Sequence, residues 1–109
     1  EVVAPEALCA VRVEPAEGVG GDFYNLFHLG NGRIGVLVGD VSSHGYRAAL
    51  IMALVMSASA IHAQTTADPA ETVTAIFATL DEELRETEMF LSLCYCVVDR
   101  EARTIRWTN

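Results

Sequence analysis

Two apolar runs separated by Gly30-Asn31-Gly32 constrain this chain more than any other feature. Phe23 to Leu29 and Arg33 to Gly39 flank residues that accept positive φ, the local signature of a β-hairpin. An aspartate stands at each foot, Asp22 nine residues before Asn31 and Asp40 nine residues after it. If the arms pair symmetrically about the turn, the two carboxylates face each other on neighbouring strands, with Cα atoms roughly 4.5–5.5 Å apart.

Like charges directly opposite one another destabilise a sheet. At ~4 Å the repulsion is on the order of 4 kcal/mol for an effective dielectric of 20. Either one carboxylate keeps its proton or a cation sits between the two. Gly20 and Gly21 before Asp22, and Gly39 before Asp40, favour the cation by leaving room for an ion or water to approach. Hard oxygen donors of this kind suit Mg²⁺ or Mn²⁺. The alternative is that Asp22 and Asp40 are ordinary strand-end residues making local hydrogen bonds to the backbone.

A chain of 109 residues is one domain at most, and its 51% apolar content argues against disorder. The net charge is −8, and all seven cations are arginines. That balance repels phosphate backbones and no basic stripe offsets it, so no nucleic-acid partner is expected. A bound metal can still reverse the local sign and admit a phosphate. Cys9, Cys94 and Cys96 have neither CxxC nor Cys/His spacing, which favours a reducing, cytoplasmic compartment. Cys94 and Cys96 share one face of an apolar run and are expected to be buried. No basic, apolar leader precedes the domain. The longest apolar run, Ala48 to Ala63, is too short to span a bilayer and reads as a buried helix, with no membrane association.

In chain order, Ala7 to Val13 reads as a short strand. In the hairpin's second arm, Ile34 to Val38 is apolar at nearly every position, as in a strand covered on both faces. A helix of about 18 residues, roughly 27 Å long, is expected after Gly45. It is apolar almost all round, the mark of a central helix, with Ser42 and Ser43 as N-cap candidates. Asp68-Pro69-Ala70-Glu71 announces a second helix: an acidic cap, proline at the first helical position and glutamate at the third. Its apolar stripe is Val73, Ile76, Phe77, Leu80 and Leu84, while Asp81, Glu82, Glu83, Arg85 and Glu86 face water. Met89 to Val98 reads as a buried strand, Asp99 to Arg103 as a polar turn, and Thr104 to Thr108 as an alternating strand with Ile105 and Trp107 on one side.

VGGDFYN, GDVSSHGYRAAL and MFLSLCYCVVDREARTIRWTN, in this order and spacing, resemble the PPM-type metal-dependent protein phosphatases of the SpoIIE/RsbU-like branch. The resemblance covers nearly the whole chain from about Val13; GDVSSHG after a buried strand is its most specific part, and GGD alone is weak. It implies an α+β fold, a partial α-β-β-α sandwich of antiparallel sheets with flanking antiparallel helices. It also implies a two-metal Mn²⁺ or Mg²⁺ centre, with Asp22, Asp40 and the Val41 backbone carbonyl as ligands. His44 matches the histidine of the family's DxxxHG run, where it serves as proton donor to the leaving serine oxygen. A helix-start histidine bonded to a neighbouring turn is the alternative, and His28 and His62 match nothing in the family. The implied reaction is hydrolysis of phosphoserine or phosphothreonine by a metal-activated water. Its implied substrate is a phosphorylated anti-anti-sigma (STAS) protein, under the control of an upstream sensor or regulatory domain, with homodimerisation a further possibility.

Three departures stand out. Asn25 replaces an acid common in the family and removes a charge near the metals. Ser43 replaces a glycine. The chain stops at RWTN, where family members continue toward their remaining metal aspartates, so residues 1–109 are expected to be an incomplete phosphatase domain. A phosphatase-like interaction module without catalysis is the rival from another class. A GGDEF-type cyclase is the weaker one, because Phe23 and Tyr24 stand where its acid belongs.

Overall fold

Positive φ at Gly30, Asn31 and Gly32 (76°, 54° and 71°) reverses the chain where the turn residues predict it. The computed structural model describes residues 12–14, 21–42 and 45–109. Of the strand expected over Ala7 to Val13, only Arg12 and Val13 are described, and they lie in no strand. The hairpin arms are β1 (Asp22–Gly30) and β2 (Arg33–Val41); α1 (Tyr46–His62), α2 (Pro69–Thr87), β3 (Leu91–Asp99) and β4 (Thr104–Thr108) follow. The strands form one antiparallel sheet in the order β1-β2-β3-β4, an α+β arrangement with both helices packed on it. A second turn is tied to the first where the Arg100 N–H donates to the Gly32 carbonyl at 2.9 Å.

Alternation sorts each strand into two faces. One carries Phe23, Phe27, Leu37, Val41, Leu93, Tyr95 and Val97, all buried against Ala48, Ile51 and Val55 of α1 and Val73, Ile76 and Leu80 of α2. The Tyr95 and Phe27 rings pack edge to face, 6.2 Å between centroids and 73° between planes. Burial, and then the nearby Cys96 thiol, push the Tyr95 phenol up to about 12, so it stays protonated at neutral pH.

The opposite face carries Val38, Cys94, Ile105 and Trp107, and here several expectations give way. Val38 is 52% exposed while Ile34, on the same face, is 1% exposed, so β2 is covered on both faces at its Ile34 end and on one face only at Val38. Cys94 is exposed and Cys96 half-buried, because their parity sends them away from the helices. Helix α1 is not a central helix. Ala48, Ile51, Val55, Ala58 and Ser59 form its buried face, while Leu50 and Ile61 are 59% and 62% exposed. Its N-cap residue is Gly45, with no side-chain cap, so Ser42 does not cap it; Ser43 lies outside the described residues.

Helix α2 forms as its leading residues predict. The Asp68 carboxylate accepts from the Ala70 N–H at 3.0 Å, Pro69 opens the helix, and Glu88 closes it in the left-handed conformation. Asp68 also faces Arg106 of β4 at 3.6 Å. His62 joins the two helices through Thr79 Oγ1 at 2.9 Å, a structural role. Within the charged run of α2, Glu83 is the exception to solvation: it is half-buried, with Oε2 enclosed and unpartnered among the described residues.

Candidate metal centre

The hairpin register pairs Asp22 directly with Asp40. The Val41 N–H donates to the Gly21 carbonyl at 2.9 Å, which makes Gly21–Val41 a hydrogen-bonded pair. Asp22–Asp40 is therefore the non-hydrogen-bonded pair beside it, the kind in which Cα atoms approach to about 4.5 Å and side chains lie closest. Both aspartates are exposed on the face turned away from the helices. Partial desolvation, then a hydrogen bond to the Asp22 carboxyl and the charge on it, raise the Asp40 carboxyl above its ordinary value of 3.8. A proton or a cation between two opposed carboxylates relieves their repulsion.

The pair opens into a groove of about 1010 Å³ that is also lined by Arg12, Tyr24, Ser92 and Cys94. Arg12 forms an ion pair with Glu14 at the groove's edge. Ser92 stands opposite Asp40 on β3, a neighbour invisible in the local sequence because only the β2–β3 register brings it there.

Val41 contributes backbone alone, since its side chain is buried at 2% exposure. Its N–H faces Gly21, and in a hydrogen-bonded antiparallel pair the carbonyl of the same residue faces the same neighbour. The carbonyl is therefore turned toward the β1 edge that carries Asp22. His44, like Ser43, lies outside the described residues.

Two expectations about the surroundings are corrected. Gly39 does not make room for an ion. It sits on the helix face, where a Cβ would lie 2.3 Å from Phe23 Cζ and 2.8 Å from Leu93 Cδ2, so its bareness admits the Phe23 ring. Asn25 pairs with Leu37 on that same face, so an acid there would stand on the other side of β1 from Asp22. Its Oδ1 accepts from the Leu26 N–H at 2.9 Å.

The donors fit a hard divalent cation. Two carboxylates and a strand-end carbonyl on one edge are what Mg²⁺ or Mn²⁺ takes when it keeps several waters. Among the described residues no group of three or more His, Cys, Asp or Glu gathers that could hold a metal. These residues therefore supply part of a coordination sphere.

Comparison with known proteins gives a consistent result. The family model described as Stage II sporulation protein E (SpoIIE) matches residues 30–109, a stretch that contains Asp40 and begins after Asp22. Protein IcfG of Synechocystis sp. is 46% identical over 44 residues, which are 40% of this chain and 7% of IcfG. The crystal structure of the RsbU and RsbW domains of Rv1364c from Mycobacterium tuberculosis is similar with a TM-score of 0.64 and 24% identity. That likeness covers 78% of this chain and 24% of that one, and it bears on the fold alone. The chain thus spans a small part of the length of either relative.

Proposed function

The chain belongs to the SpoIIE family, and from that premise we propose that it forms part of a metal-dependent phosphatase domain acting on phosphoserine or phosphothreonine. The observation that carries the reading is the direct pairing of Asp22 with Asp40 across the hairpin. A two-metal Mn²⁺ or Mg²⁺ centre, when bound, would supply a water of lowered pKa and neutralise the phosphoryl oxygens.

The chain's own residues have distinct parts in this reading. Asp22 and Asp40 hold the cation by their carboxylates, and Val41 orients it through its carbonyl. His44 donates a proton to the leaving serine oxygen. Residues outside this stretch complete the ligand set, so the 109 residues are one portion of the catalytic domain. The substrate is a phosphorylated anti-anti-sigma (STAS) protein in the bacterial cytoplasm, under control of an upstream sensor or regulatory domain in an enzyme that can homodimerise. Among the described residues no helix is long and apolar enough to cross a membrane.

The test is Mn²⁺-dependent phosphate release from a phosphorylated STAS protein by the full-length protein. Asp22→Ala and Asp40→Ala should each lower kcat/KM by more than about 100-fold, beyond the range usual for groups that merely support a metal ligand. Activity left intact in both variants overturns the reading. A Mn²⁺ titration separates it from a phosphatase-like module that binds without cleaving, which needs no micromolar metal site.

A further inference from the structure

The β2–β3 ladder runs from Arg33↔Asp99 to Val41↔Leu91, and the next rung along would be Ser42 against Phe90. That rung is half regular. The Ser42 N–H donates to the Phe90 carbonyl at 2.8 Å, as in any hydrogen-bonded antiparallel pair. The return bond differs: the Phe90 N–H donates to Ser42 Oγ, at 2.9 Å, in place of the Ser42 carbonyl. The side chain completes the rung, so the main chain can leave the sheet at Ser42 while Val41 stays fixed. Beyond it the chain reaches Gly45, at φ 83°, and enters α1.

We infer that Ser42 is a positioning residue for the metal centre, an assignment that rests on the function proposed above. Its hydroxyl bolts the end of β2 to β3, and so sets the Val41 carbonyl and the Asp40 carboxylate against Asp22. Without the hydroxyl, the Phe90 N–H has two outcomes. It loses its acceptor, or it takes the Ser42 carbonyl and draws the chain back into the ladder. Either outcome moves the strand end that carries the two ligands.

The experiment compares Ser42→Thr with Ser42→Val in the full-length protein; the two side chains match in shape and differ by the hydroxyl. Mn²⁺ affinity is read by calorimetry, and protection of the Phe90 amide by hydrogen exchange in EDTA. The Val variant should bind Mn²⁺ about 10–100-fold more weakly, the range for groups that orient metal ligands, and lose Phe90 protection. The Thr variant should keep both within about threefold, well inside that range. Asp40→Asn should lose Mn²⁺ binding and keep Phe90 protection, which separates ligand from positioner. Should the Val variant fail to fold, Ser42→Ala takes its place in the comparison. Equal Mn²⁺ affinity in the Thr variant and the variant lacking the hydroxyl overturns the assignment of Ser42. A wild-type protein that binds no Mn²⁺ overturns the metal-centre reading itself, and the assignment falls with it.

Discussion

Desolvation, and then the Asp22 carboxyl across the strand gap, raise the Asp40 carboxyl above its ordinary value. Because its folded-state value is raised, the folded protein binds more proton there than the unfolded chain does. This contribution to stability is therefore fully present below the ordinary value of 3.8 and is lost as pH rises through the raised value. In EDTA, Asp40→Asn should melt higher than wild type at pH 7, and the difference should vanish near pH 3. For exposed carboxylates about 1 kcal/mol of water-screened repulsion is at stake, or roughly 4–8 °C in the thermal midpoint. A wild-type protein that melts as high as the variant at pH 7 would show that the pair does not repel. Equal spacing from Asn31 pointed to the acid pair, but the turn itself pairs Gly30 with Arg33, and an irregularity between His28 and Gly30 restores the register that sets Asp22 opposite Asp40. Gly39 was not legible in the sequence, because the Phe23 ring that needs its missing Cβ lies on the face opposite the acids.

Helices α1 and α2 show how far local chemistry reaches. Helix α2 carries its own start signal in Asp68 and Pro69 and its own apolar stripe, and both predicted it correctly. Asp68→Ala should cost about 1 kcal/mol through loss of the cap, lowering the thermal midpoint by roughly 4–8 °C. Loss of the exposed ion pair to Arg106 adds little to this. A change of under about 1 °C would show that the cap contributes nothing measurable. Helix α1 has no side-chain cap and is apolar on both sides, so its buried face is chosen by packing alone. Ala48, Ile51 and Val55 meet the sheet, whereas the equally apolar Leu50 and Leu54 do not. No periodicity within α1 could have made that choice, since every direction around the helix offers apolar residues. Likewise the alternation in β3 places Cys94 and Cys96 on one face, but which face the helices cover is decided elsewhere.

At the scale of the molecule, both helices lie on one face of the four-stranded sheet, and Val38, Ile105 and Trp107 remain exposed on the other. If further residues of a phosphatase domain complete the sandwich, that open face is where a second layer belongs. Trp107, the sole tryptophan and 66% exposed, reports on it. The 109-residue chain alone should emit as an exposed indole, and a full-length protein in which Trp107 is the single remaining tryptophan should emit further to the blue. Identical emission maxima would show that the face stays open. The sequence by itself determined the hairpin, the placing of an acid at each foot, the second helix and the last strand, each written in turn chemistry, capping or alternation over a few neighbouring residues. The shift between His28 and Gly30 that sets the register belongs to the folded sheet. Only the tertiary structure decided which face of each apolar element is covered, why Gly39 must be bare, and that Ser42 grips Phe90 instead of capping α1. The physical reason is that an apolar run favours burial without naming its partner; partners are chosen by strand register and packing between residues far apart in the chain.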